Sequence, residues 1–385
     1  MLFRSTGTLT PNTLTVTNVA VTSALIYTNS KPENFKVYIT GIKDNQQVIF
    51  GDGTNTYRAL IVEKDGVYDV NWEDNYRAYC IWCNFLGDCN ITITQLPTSI
   101  LKDFSGNGNH AYLYGGKGKL NSGMGVYQQD FSKLIISRVD KKQDPFSFTV
   151  SGSGGSYLAY MQLGNWNNKA FKILVNINAE RDYLHLRFRN NTDAVITSVA
   201  LKNGENIIPA QNIEGATKAV FEYSLKEGET ITITQIPDYP DQLCYDGKMY
   251  AVCYGFPILT DYTVMADRTW FDNEGNRVFI TKGNIWPNCA FNFEKVNASL
   301  SSETFSYSQS TNIDDLIGKS GITYQTKQSY NGKVIGVGTS SDGDILLIGG
   351  QLKGEYIGCH GKIIIADRSF TEDEITWLKD NWKKI

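Results

Sequence analysis

Ile91-Thr92-Ile93-Thr94-Gln95-Leu96-Pro97 recurs, nearly unchanged, as Ile231-Thr232-Ile233-Thr234-Gln235-Ile236-Pro237. In both stretches isoleucine and threonine alternate, the period-two pattern of a strand with one buried face. β-Branched residues also suit a pleated surface. Working upstream, Phe35-Lys36-Val37 matches Phe171-Lys172-Ile173, and Ser23-Ala24-Leu25-Ile26-Tyr27 matches Ser156-Tyr157-Leu158-Ala159-Tyr160. Leu14-Thr15-Val16 matches Phe148-Thr149-Val150. The four matches keep their order and nearly their spacing, as two copies of one module with small loop insertions would.

Each copy reads as strands throughout. Leu184, Leu186 and Phe188 alternate with Tyr183, His185, Arg187 and Arg189. Lys226-Glu227-Gly228-Glu229 supplies turn chemistry before the repeated strand. The expectation is an all-β chain with two small antiparallel β-sandwiches, residues 1–97 and 146–237. Residues 98–145 and 238–385 remain. Near their end, Thr371 and Glu374 have capping-box spacing, and Ile375, Leu378 and Trp382 share one side of a short C-terminal helix. That helix is expected to latch onto a sheet.

Composition narrows the partners. The 36 Lys plus Arg against 40 Asp plus Glu give a net charge of -4, so bulk charge offers no reason to expect a nucleic-acid or acidic-membrane partner. The 35 Gly, 22 Tyr and only 9 Pro favour strands joined by many turns. Apolar runs such as Ile345-Leu346-Leu347-Ile348 are strand-sized, so no membrane span is expected. The opening Met-Leu-Phe-Arg-Ser-Thr-Gly-Thr has no apolar stretch of signal-peptide length, so synthesis in a cytoplasm without general export is the expectation.

The seven cysteines, Cys80, Cys83, Cys89, Cys244, Cys253, Cys289 and Cys359, are an odd number and a poor disulfide framework. Cys80-Ile81-Trp82-Cys83 has redox or zinc spacing, but on a strand its thiols point to opposite faces. Buried reduced thiols are the expectation.

The two remaining pieces carry a resemblance. Asp103-Phe104-Ser105-Gly106-Asn107-Gly108-Asn109-His110 resembles the opening motif of laminin-G-like, concanavalin-type jelly rolls. Asp246-Gly247 and Phe256 to Val264 resemble the strands that follow. Residues 361–382, with Thr371-Glu372-Asp373-Glu374-Ile375-Thr376-Trp377-Leu378, resemble the closing strand and helix. The resemblance implies a jelly roll formed by 98–145 and 238–385, with the second sandwich inserted at an exposed loop. Such sandwiches joined to this jelly roll also resemble proteins of tailed phages and prophages of gut Bacteroidales, crAss-like phages included. That implies a virion protein: a head fibre or other capsid or tail appendage. Its implied partners are other virion proteins, further copies of itself in a dimer or trimer, and host-surface glycans. The alternative is a bacterial surface lectin-like module, which needs an export signal.

The jelly-roll family includes glucanases, which need carboxylates paired across a sugar. No E-x-D-x-x-E strand occurs, Glu372-Asp373-Glu374 is helix-cap chemistry, and Glu180-Arg181-Asp182 lies where a turn is expected, so a non-enzymatic role is expected. Ser151-Gly152-Ser153-Gly154-Gly155 and Gly336-Val337-Gly338 open no helix and read as hairpin loops rather than phosphate cradles. No cofactor is expected unless it is calcium. Asp103, Ser105, Asn107 and Asn109, two apart in a Gly-rich loop, are the candidate calcium ligands, set against a simple turn. For glycan stacking the candidates are Trp166, in Gly164-Asn165-Trp166-Asn167-Asn168, and Trp286, in Gly283-Asn284-Ile285-Trp286-Pro287-Asn288. Trp270 ends an apolar strand and reads as core.

Overall fold

The computed structural model describes residues 7–9, 13–17, 23–28, 30–54, 57–74, 78–83, 89–116, 122–124, 129–136, 140–153, 156–271, 277–283, 289–295, 301–302, 305–306, 320–326, 329–330, 333–334, 344–350 and 356–385. Among these, the fold is antiparallel β-sheet with short 3-10 turns and one α-helix.

The first nine strands are β1 (Gly7–Leu9), β2 (Thr13–Thr17), β3 (Ser23–Thr28), β4 (Phe35–Thr40), β5 (Val48–Gly51), β6 (Arg58–Val62), β7 (Gly66–Val70), β8 (Tyr79–Cys83) and β9 (Asn90–Gln95). They form two sheets, β1-β2-β9-β4-β7 and β3-β8-β5-β6. After β10 (Ile100–Leu101) and β11 (Ala111–Tyr114) come β12 (Lys141–Gln143), β13 (Ser147–Ser151), β14 (Tyr157–Gln162), β15 (Phe171–Asn178), β16 (Tyr183–Arg189), β17 (Val195–Lys202), β18 (Gly204–Ile208), β19 (Lys218–Glu222) and β20 (Thr230–Ile236). Their sheets run β12-β13-β20-β15-β18 and β14-β19-β16-β17. Strand for strand this is the order of the first sandwich, with β12 in the place of β1 and β20 in the place of β9.

Register agrees with the sequence matches. Leu14 lies opposite Ile93 and Val16 opposite Ile91; in the second copy Phe148 lies opposite Ile233 and Val150 opposite Ile231. These residues are the buried face of each strand, and the alternating threonines face outward, where the Thr149 and Thr232 hydroxyls meet at 2.9 Å. A one-residue slip would put every isoleucine in water, so the alternation itself fixes the pairing. Each sandwich has its own core: Val16, Ile39, Phe50 and Ile91 in one, and Phe148, Phe171, Phe188 and Phe221 in the other. Full burial of each such side chain contributes roughly 1.5–3 kcal/mol.

The second sandwich begins earlier than residue 146. Phe131, Leu134 and Ile136 are buried in its core, and β12 extends its sheet. Gln129 clamps that lead-in segment. Its backbone N–H donates to Gln235 Oε1 at 2.8 Å, and Gln235 Nε2 donates back to its carbonyl at 2.7 Å. Polar residues such as Asp130 and Lys133 among its three apolar anchors hide this role from a pattern reading.

The third body joins β10 and β11 to β21 (Leu243–Asp246), β22 (Tyr250–Tyr254), β23 (Thr263–Trp270), β24 (Arg277–Gly283), β25 (Cys289–Lys295), β26 (Ser301–Ser302), β27 (Phe305–Ser306), β28 (Ser320–Thr326), β29 (Ser329–Tyr330), β30 (Lys333–Val334), β31 (Ile345–Ile348) and β32 (Ile357–Ala366). One sheet is β10-β11-β22-β31-β24-β25 and the other β21-β32-β23-β28-β29-β30; β26 and β27 form a separate pair. Tyr112 lies opposite Val252 and Tyr114 opposite Tyr250, so strands on either side of the second sandwich in sequence pair directly. Tyr245, Tyr262, Val264, Phe279 and Tyr356 fill the space between the two sheets.

The helix α1 (Glu372–Asn381) follows. Thr371 and Glu374 form the reciprocal capping box, and Ile375, Leu378 and Trp382 pack on Met265, Ile322, Tyr324 and Ile364 from the outer face of a sheet. No helix among the described residues is long and apolar enough to cross a membrane.

Candidate functional site

The Asp103–His110 loop closes on its own hydrogen bonds. Asp103 Oδ1 accepts the Ser105 N–H at 2.8 Å and Oδ2 accepts the Asn109 N–H at 2.9 Å. The Asp103 N–H donates to His110 Nδ1 at 3.0 Å, and the Asn107 N–H donates to Ser105 Oγ at 3.3 Å. Gly106 and Gly108 take φ values of 88° and 78°, a region costly for other residues, which lets the chain turn twice within four positions. Partial burial pushes the Asp103 carboxyl up, but the hydrogen bonds from Ser105 and Asn109 outweigh it and hold the group below its ordinary value.

This loop forms the rim of a cleft of about 550 Å³ at the edge of the jelly-roll core. Apolar side chains line it from both sheets, Leu346 and Ile348 from one and Ile363 and Ile365 from the other, with Phe256 from the loop after β22. Its polar lining includes Lys102, Asp103, Ser105, Asn107, Asn109, His360 and Lys362. Behind Phe256 the buried Lys282 ammonium lies 5.5 Å from the ring centroid. The Phe104 ring, also in the lining, is 87% exposed, with the Lys102 ammonium 5.5 Å from its centroid. An apolar wall with an aromatic ring and a rim of amides and hydroxyls matches a ligand with one C–H face and a polar edge.

His360 closes the inner end. Its Nδ1 lies 2.9 Å from the Gly361 carbonyl, which can only accept, so Nδ1 carries the proton. Nε2 therefore accepts from the Tyr245 hydroxyl at 2.9 Å. Burial lowers the His360 pKa to about 4, so the ring is neutral near pH 7.

The structure brings the four candidate calcium residues to the one cleft. Asp103 carries the only carboxylate among the described lining residues, and both of its oxygens already accept N–H groups. Among the described residues no three His, Cys, Asp or Glu side chains gather as a metal cluster. Trp166 sits elsewhere, in the second sandwich. It is only 8% exposed and meets Phe171 and Phe188 edge-on at 5.6 and 5.4 Å, so its ring belongs to the core and offers no face to a sugar. The lead-in segment holds it there: Gln129 exchanges two hydrogen bonds with the neighbouring Asn167. Trp286 lies outside the described residues. Trp270 is buried against Tyr356. Phe104 is the exposed aromatic ring of this cleft; in a loop of Gly, Ser and Asn it has no apolar neighbours in sequence to bury it.

No family profile matches the chain. No curated protein matches it either. Among solved structures, it is similar to the PBSX exported protein XepA at 12% identity and a TM-score of 0.20, over 58% of this chain and 86% of that one. It is also similar to a chain in the structure of the entire lipid-containing bacteriophage PM2, at 9% identity and a TM-score of 0.17, over 91% of this chain and 94% of that one. At such low scores neither likeness bears on fold or function. The class of protein is set by the chain's own sheets: an all-β protein of sandwich and jelly-roll modules.

Proposed function

We propose that the chain is a non-enzymatic structural protein of a tailed-phage virion, a head fibre or other capsid or tail appendage, and that its jelly-roll cleft binds host-surface glycans. The observation that carries this reading is the duplication. Two sandwiches with one strand order, each with its own core, are scaffold units. The third body, residues 98–145 with 238–385 less the lead-in to the second sandwich, holds the one cleft described above. Repeated scaffold beside a single recognition end suits an appendage that holds a binding site away from a particle. The resemblance of the Asp103–His110 and Thr371–Leu378 motifs supports the same reading. Appendages of this kind are symmetric, so a homo-oligomer is part of the proposal.

Mass spectrometry and antibody labelling of purified particles test the location: the chain should be present in intact virions at a fixed stoichiometry, and its absence overturns the reading. A glycan array of the isolated protein, wild type against Phe104→Ala, tests the ligand. Binding that Phe104→Ala abolishes supports the cleft, and a blank array removes the glycan part while leaving the virion part standing.

A further inference from the structure

Cys244 and Cys359 are direct partners across the antiparallel pair β21–β32. Tyr245 and His360, the next residues along, turn inward and meet each other, so the two cysteines share the opposite face. Both are buried, at 1% and 0% exposure. Directly opposed residues in such a pair have Cα atoms about 4.5 or 5.5 Å apart, within the roughly 4.4–6.8 Å that a disulfide spans. We propose that Cys244 and Cys359 are a built-in oxidation site, two facing thiols that close to a cross-strand disulfide once the chain meets an oxidising disulfide such as oxidised glutathione.

The reaction is two successive exchanges. One cysteine thiolate attacks a sulfur of the glutathione disulfide and expels one glutathione thiolate, leaving a mixed disulfide. The second cysteine thiolate then attacks the protein sulfur of that bond and expels the other glutathione. Two protein thiols and one glutathione disulfide become one protein disulfide and two glutathione thiols, with the protein's two protons passing to the departing thiolates.

The surroundings fit a slow, gated closure. The contact with Cys244 and burial raise the Cys359 pKa well above its ordinary value, so that thiol is inert while covered. Cys359 Sγ donates its one proton to Gln242 Oε1 at 2.8 Å, in the turn leading into β21. β21 is four residues long and stands at the edge of its sheet. Its outer edge carries the isolated bridge from Ser122 to Leu243. Local fraying of so short an edge strand exposes the thiols without unfolding the sheet. The other paired spacing in the chain cannot do this. Cys83 packs in the first core, whereas Cys80 packs with Ile49 and Trp82 on the other face of the same strand.

The test uses the full chain and is independent of the proposed function. The protein is incubated with oxidised glutathione, quenched with an alkylating agent under denaturing conditions, and mapped by non-reducing peptide mass spectrometry. The expected result is a cross-linked peptide pair joining Cys244 to Cys359, with Cys80 and Cys253 recovered alkylated. Cys253→Ser should keep the cross-link, and Cys244→Ser should lose it and leave at most a glutathione adduct on Cys359. Full alkylation of both thiols after days of oxidation overturns the proposal. So does a lasting glutathione adduct on either cysteine in the wild-type chain, because it shows that the partner sulfur cannot reach. Wild-type mapping decides the matter even if a serine variant fails to fold.

Discussion

Tyr38 of the first sandwich stacks on Tyr254 of the jelly roll, ring centroids 4.2 Å apart and planes 29° from parallel. The Tyr38 hydroxyl donates to Asp344 Oδ2 at 3.0 Å, and Leu96, Tyr112 and Tyr114 complete an apolar contact between the two bodies. The second sandwich carries a different residue at the matching position. Tyr38 lies opposite Thr94, and the residue opposite the equivalent Thr234 is Leu174. The same outward position therefore carries an aromatic ring with a hydroxyl in the first copy and a leucine in the second.

Tyr38→Ala should uncouple the two bodies. Loss of a buried aromatic side chain costs about 3–5 kcal/mol. Because the loss falls on an interface, urea unfolding should separate into two transitions, and protease should cut near residues 97–99. Tyr38→Phe removes only the hydrogen bond to Asp344 and should cost about 1 kcal/mol without splitting the transition.

Acid should weaken the jelly roll through His360. Its folded pKa, lowered to about 4, lies below the ordinary value of 6.5, so between those values the unfolded chain binds more protons. The contribution is complete above about pH 6.5 and is lost as pH falls towards 4, a window worth on the order of 3 kcal/mol. Denaturant melts at stepped pH should show this slope. His360→Gln should be less stable at pH 7, because the Tyr245 hydroxyl loses its ring acceptor, and should flatten the slope between pH 6.5 and 4.

The C-terminal helix should depend on its cap. Thr371→Ala removes the acceptor for the Glu374 N–H and should cost about 1 kcal/mol. Glu374 also makes two hydrogen bonds to Arg368, which with the Thr371 N–H lower its carboxyl pKa to about 2. A lowered carboxylate stabilises above its ordinary value and loses that effect as pH falls through the folded value. Helix anchoring, read from Trp377 and Trp382 fluorescence, should therefore weaken through this group only in strong acid for wild type, whereas Glu374→Gln, with no carboxyl to titrate, should be weakened alike at every pH above that.

How much of this was legible depended on whether the information was local. The alternation in Ile91–Thr94 and Ile231–Thr234 is a property of neighbours, and it gave strands, their buried face and the all-β class. The divergence of Cys80 and Cys83 followed from the same alternation. The Thr371 cap could be read from a four-residue spacing. The fate of Trp166 could not, because its burial depends on Phe188 and on Gln129, distant in sequence. The place of the lead-in segment with Phe131 is hidden for the same reason: three apolar anchors among polar residues carry no period. The facing of Cys244 and Cys359 depends on the register of β21 on β32, which no local pattern states.

The Asp103 loop separates two ways of building a binding rim. If hydrogen bonds shape it, the carboxylate is needed as an acceptor for two N–H groups and no ion is required. Both oxygens already serve that role, and the two positive-φ glycines allow the turn without a ligand. Asp103→Ala should then loosen the loop, raise hydrogen exchange at Ser105 and Asn109, and abolish any glycan binding that depends on Phe104. Asp103→Asn keeps one oxygen acceptor and should fall between. A chelator should leave the melting temperature and glycan binding of the wild type unchanged. A calcium-dependent rise in melting temperature that Asp103→Asn removes would instead assign Asp103, Ser105, Asn107 and Asn109 to an ion, and the rim would then owe its shape to the metal.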